Sequence, residues 1–174
     1  MKKILVVVDM QKDFVDGALG TDEALAILPA VCDKIKNFEG DILVTYDTHF
    51  ENYMETAEGK NLPVPHCIKE TEGWMLDQNV QDALSEKEYT EIEKITFGSI
   101  DLPFYIEENY DTENIEIELC GLCTDICVVS NALILKANFP ETKISVYEKL
   151  CAGVTPQTHQ SAIDTMRMCQ INII

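Results

Sequence analysis

Apolar runs of strand length alternate with stretches of helical periodicity along all 174 residues, which predicts an α/β fold of three αβα layers around a mainly parallel sheet. The central runs are apolar on both faces, as strands covered by helices on both sides must be. Helical segments lie between successive strands, the arrangement that right-handed crossovers between parallel strands require. The length suits a single core, and no linker, repeat or low-complexity tract interrupts it, so residues 1–174 read as one domain.

The first strand is 4–8, ILVVV, rich in Val and Ile. A helix over 22–38 follows, with Ala26, Leu28, Val31 and Ile35 on its apolar side, and then a strand over 41–46, DILVTY. Residues 47–75 are polar and without clear period. Segments of this length are usually functional or disordered, and this one holds two of the three histidines and the only tryptophan. Beyond it come a helix over 76–85, a weaker strand over 89–94, a strand over 115–119 and a helix over 125–137. A strand over 143–148, a helix over 158–168 begun by Pro156, and a last strand over 171–174 complete the chain.

Thirteen Lys and Arg against 31 Asp and Glu leave a formal net charge of −18. Such a charge repels nucleic acid and anionic lipid, so neither is expected as a partner. Disorder is also disfavoured, because 46% of the residues are hydrophobic and fall in regular blocks. The opening MKKILVVVD is too short and wrongly flanked for a signal peptide or a membrane span, and the chain is read as cytoplasmic. Thiols stay reduced there, so the seven cysteines are expected to serve packing or chemistry rather than bridges.

In open parallel sheets ligands bind beyond the carboxyl ends of the strands. The residues that follow the predicted strands are Asp9, then Asp47 and His49, then Lys94, then the cluster Cys120, Cys123 and Cys127. Cys120 reads as a small core hydrophobe at a strand end. Cys127 falls in the first turn of the next helix, capped by Thr124 or Asp125, where free N–H groups and the helix dipole lower a thiol's pKa and can stabilise an oxyanion. Cys120 and Cys123 have the spacing of a redox pair, but they straddle a strand end instead of opening a helix. A structural zinc site would need a second Cys or His pair that the spacing does not supply. Asp9 and Lys94 are each explicable as a turn acid and a solvated lysine. Together with a thiol, however, a carboxylate held by a lysine can take the thiol's proton and return it to a leaving amine. Asp47, His49 and His66 are surface residues or else ligands of one substrate-facing Zn²⁺, Fe²⁺ or Mn²⁺. His159, at a helix start, looks structural.

Five pieces occur in order over essentially the whole chain: Asp9-Met-Gln-Lys-Asp-Phe14, Asp47-Thr-His49, Pro-His66-Cys67, Lys94, and Gly121-Leu-Cys-Thr-Asp-Ile-Cys127. With the closing CAGVTPQTHQSAIDTM they resemble the isochorismatase-like cysteine hydrolases, and within these the nicotinamidases most. The resemblance implies a six-stranded sheet, a catalytic triad of Asp9, Lys94 and Cys127, and a cis peptide between Leu122 and Cys123 that aims the Cys123 and Cys127 amides at the oxyanion. It implies that Asp47, His49 and His66 hold a divalent metal, Zn²⁺ foremost, with Glu58 as a fourth ligand whose spacing is one residue off the family's. Nicotinamidases carry a ring-stacking aromatic where this chain has Pro63, with Leu62 beside it; Phe14 matches the other face, and Trp74 or Tyr53 is the candidate substitute. The implied reaction is hydrolysis of nicotinamide or another small amide, ureide or carbamoyl compound, by a homo-oligomer of two or four chains. A metal-binding module without turnover and a thiol redox protein are the alternatives outside this class.

Overall fold

The computed structural model describes residues 1–174. Six strands, β1 Lys2–Val8, β2 Asp41–Asp47, β3 Tyr89–Lys94, β4 Ile115–Leu122, β5 Lys143–Ala152 and β6 Asn172–Ile173, form one parallel sheet in the order β3-β2-β1-β4-β5-β6. Seven helices accompany them: α1 Lys12–Val15, α2 Asp22–Asn37, α3 Ala57–Asn61, α4 Gln78–Leu84, α5 Asp101–Asn109, α6 Val129–Asn138 and α7 Pro156–Met168. No helix is long and apolar enough to cross a membrane.

β1 lies at the centre because its residues 4–8 are apolar on both faces, and all five are fully buried. Leu5 and Val7 pack toward α2 and α4, through Leu28, Val31, Ile35 and Val80. Ile4, Val6 and Val8 pack toward α5, α6 and α7, through Ile106, Leu135 and Ile163. Each such side chain contributes about 1.5–3 kcal/mol on burial, so a Leu5→Ala change would cost about 2–5 kcal/mol. The helices begin where their caps dictate. Thr21 accepts the Ala24 N–H at 3.0 Å to start α2, and Thr155 with Thr158 forms a capping box that starts α7, with Pro156 in its first turn.

Several boundaries depart from expectation. β4 and β5 run beyond the predicted strands, with a register shift between Leu119 and Gly121. α5 was not anticipated; its apolar side amounts to Leu102, Pro103 and Ile106, too short a pattern to stand out. The helix expected over 125–137 begins as one turn of π-helix, Thr124–Val128, before α6. The polar segment 47–75 contains a 3₁₀ turn, Tyr53–Glu55, and α3, which Thr56 caps. An isolated bridge joins His49 to Ile68 within it, and a second joins Gln11, beyond β1, to Leu76 just after it.

From β1 the chain runs outward to β3 and then returns to the other side of β1 for β4. That reversal opens a crevice beyond the carboxyl ends of β1 and β4. Gly121 allows the two strands to meet there: its φ is +123°, and a Cβ would stand 2.1 Å from the Val8 carbonyl oxygen.

Candidate active site

The crevice brings together Asp9, Lys94 and Cys127, each at most 4% exposed. Asp9 follows β1 in a left-handed conformation, φ 47°, which Asp tolerates better than most residues. Its Oδ1 accepts a 2.6 Å hydrogen bond from Thr45 Oγ1, and the Lys94 Nζ lies 2.7 Å from Oδ2. That contact is an ion pair off the hydrogen-bonding direction, and Oδ2 has no hydrogen-bond partner. Lys94 Nζ also reaches Asp47 Oδ1 at 3.2 Å and Cys127 Sγ at 3.5 Å. Lys94 Nζ thus stands between the Cys127 thiol and the Asp9 carboxylate.

Burial governs the charges. It pushes Asp9 above the ordinary carboxylate range, a shift that Lys94 opposes and Asp47 reinforces. It would lower Lys94, but Asp9, Cys127 and Asp47 outweigh it and keep the ammonium charged. Cys127 is raised well above the usual thiol range by burial and by the Asp9 carboxylate. This overturns the expectation of a thiol lowered by the helix terminus: the sulfur sits in a low-dielectric floor beside a negative charge, and both favour the protonated form. Nor do Thr124 and Asp125 cap the turn. Thr124 Oγ1 pairs with His159 Nδ1 at 2.8 Å, and Asp125 accepts the Val154 N–H at 3.1 Å. Cys120 is packed in the core, and burial pushes both it and Cys123 up to about 12, opposite to what a redox pair requires. The Leu122–Cys123 peptide is cis, and no acceptor within the chain takes the Cys123 N–H.

Asp47, His49, Glu58 and His66 present one ligand atom each, no two more than 4.8 Å apart. His49 Nε2 is 3.1 Å from Asp47 Oδ2 and 3.5 Å from Glu58 Oε1, and His66 Nε2 is 3.6 Å from both. Donors about 2.0–2.2 Å from a tetrahedral ion stand about 3.3–3.6 Å apart, so the set fits a divalent cation. His66 Nδ1 bonds the Val64 carbonyl at 2.8 Å, which leaves Nε2 as the ligating nitrogen. Glu58 reaches the group from α3 despite its irregular spacing. Gln11, which the sequence reading did not single out, exchanges two 2.8 Å hydrogen bonds with the Asp47 backbone and so fixes that ligand.

A pocket of about 760 Å³ is lined both by Cys123 and Cys127 and by the four ligands. This volume is within the range of small-molecule sites. Phe14 lines it, edge-on to His66 at 5.4 Å between ring centroids, and Leu62 lines it too. Trp74 does not. Its ring packs on Tyr46 at 5.2 Å and its Nε1 donates to Thr48 Oγ1 at 2.9 Å, so it serves the core under the segment. Tyr53 is a buttress behind the site, edge-on to His49 and His66. The sequence reading missed Leu19, Ile95, Phe97 and Ile126 as lining residues. Phe97 carried a usable signal, since it lies three residues beyond Lys94 at the carboxyl end of β3.

Residues 3–174 match the model of the isochorismatase domain. The chain belongs to the isochorismatase family. An isochorismatase family protein of Bacillus subtilis, PncA, is 31% identical over 176 residues, spanning 94% of this chain and 93% of its own. Among solved structures, the pyrazinamidase/nicotinamidase of Streptococcus mutans superposes with a TM-score of 0.85 at 26% identity, covering 99% of this chain and 100% of that one. The pyrazinamidase of Pyrococcus horikoshii in complex with zinc superposes at 0.81 with 24% identity, over 100% and 99%, a likeness of fold. This isochorismatase-family hydrolase therefore has the expected architecture and a cation-compatible ligand group beside its buried thiol.

Proposed function

We propose that the chain is a metal-dependent cysteine amidohydrolase that converts nicotinamide to nicotinic acid and ammonia through a thioester. The observation that supports it is one lysine in contact with both a buried thiol and a carboxylate that lacks a hydrogen-bond partner on one oxygen, in a pocket lined by that thiol and by four metal-type ligands.

In this reading Asp9 accepts the Cys127 proton as Sγ attacks the carboxamide carbon. The raised thiol keeps its proton until attack, so base and nucleophile act in the same step. Lys94 stays charged and holds Asp9 as a carboxylate. The N–H groups of Cys123 and Cys127 receive the oxyanion. Asp9 then gives the proton to the departing ammonia, and as a base again it activates the water that cleaves the thioester. Phe14, Leu62 and Phe97 hold the ring. Asp47, His49, His66 and Glu58 would hold the cation, Zn²⁺ by analogy with the Pyrococcus horikoshii protein and Fe²⁺ or Mn²⁺ otherwise, which supplies a Lewis acid for the substrate's ring nitrogen.

Pro63 in place of the usual stacking aromatic favours the second reading, another small amide, ureide or carbamoyl substrate. Ammonia release across a panel of such compounds separates the two. Cys127→Ala should lower nicotinamide hydrolysis by about 10⁴-fold or more with the fold intact, and normal turnover by that variant would overturn the proposal. The expected cytoplasmic homo-oligomer belongs to the same proposal, and sedimentation tests its two or four chains.

A further inference from the structure

Asn131 is fully buried in the third position of α6, where Asn is unfavourable unless its side chain finds backbone partners. It finds three. Its Nδ2 donates to the Cys127 carbonyl at 2.8 Å and, more weakly, to the Phe97 carbonyl at 3.4 Å, while its Oδ1 accepts the Ser99 N–H at 2.9 Å. Ser99 Oγ in turn accepts the Leu102 N–H at 3.1 Å, at the start of α5.

The loop between, residues 95–99, is pressed against α6. A Cβ on Gly98 would stand 2.4 Å from Ile134 Cδ1 and 3.2 Å from the Ser130 carbonyl carbon. This loop brings Ile95, Thr96 and Phe97 into the pocket. Ile95 is 68% exposed and Phe97 46%, so their own burial contributes little to holding the loop in place. The polar tether and the close approach at Gly98 do that instead.

We infer that Asn131 is a positioning residue: one side chain binds both the turn that carries Cys127 and the loop that carries the apolar wall, and so sets the gap into which the substrate ring fits. The inference rests on the proposed amidase reading, which it deepens. Loss of the tether should loosen the grip on the ring while leaving the thiol chemistry in place.

Asn131→Thr tests this, because a threonine hydroxyl can still donate to the carbonyl four residues back but is too short to reach Ser99. Gly98→Ala displaces the loop from the other side and serves if the first variant does not fold. In the zinc-loaded protein each should raise KM for nicotinamide about tenfold with kcat within about threefold, the signature of lost uniform binding. A lowered melting temperature with KM and kcat unchanged would make Asn131 merely structural and overturn the inference, as would a fall in kcat at constant KM. If the wild type releases no ammonia from nicotinamide, the amidase reading fails by itself. The tether is then read from the labelling of Cys127, mapped by mass spectrometry, with N-benzyl iodoacetamide relative to iodoacetamide. A ratio lowered at least threefold in the variants supports it, and an unchanged ratio refutes it.

Discussion

Two acid–lysine clusters are buried against this sheet. On the α2 side, Glu118 of β4 accepts from Lys34 at 2.9 Å and from Tyr147 at 2.6 Å, and the Lys34 ammonium also lies over the rings of Tyr147 and Phe38. Its side chains are 22% and 10% exposed, and one acid faces one lysine. Burial would raise Glu118, but Tyr147 and Lys34 outweigh it and hold the carboxyl below its usual value. In the crevice, two carboxylates share Lys94, their side chains are at most 3% exposed, and Asp9 is pushed up instead of down. The first cluster is satisfied and acts as a clamp between helix and sheet. The second sets two carboxylates on one lysine and leaves a carboxylate oxygen without a hydrogen-bond partner, an arrangement that does little for stability and is of the kind found at functional sites.

The comparison breaks first at Asp9. Asp9→Asn keeps the shape and loses the base, so nicotinamide hydrolysis should fall about 10²–10⁴-fold, whereas Glu118→Gln should leave it within about twofold; comparable losses in both would erase the distinction. Removal of a metal ligand comes next. Because outer partners of such ligands already cost about 10–100-fold in affinity, His66→Ala should weaken zinc binding by at least that much in calorimetry, and an unchanged affinity would separate the ligand group from the metal. In urea unfolding, Lys94→Met strands two buried carboxylates and should cost about 3–5 kcal/mol. Lys34→Met, partly screened by solvent, should cost about 1 kcal/mol. The smallest effect is one of pH. Glu118 has a lowered folded-state pKa, so its stabilisation is present above its ordinary value of 4.5 and is lost as pH falls through the lowered value. The stability difference between wild type and Glu118→Gln should shrink over that acid window, and a difference constant with pH would mean the carboxyl is not held by Lys34 and Tyr147.

By itself the sequence determined the α/β class, the six strands and the residues that follow them. Periodicity and chain position are local properties, and in a parallel sheet they decide which side chains reach the carboxyl rim. Asp9, Asp47, His49, Lys94 and Cys127 were legible on that ground. Glu58 was not legible on that ground, because its place depends on a short helix inside a segment without period. Only the tertiary structure decided the rest. Trp74 turned to the core because Thr48 and Tyr46 receive it there, Phe97 became a pocket wall because Asn131 and Gly98 dock its loop on α6, and the Cys127 thiol rose instead of falling. Desolvation and pairing depend on what distant segments place around a group, and that environment exists only once the chain has folded.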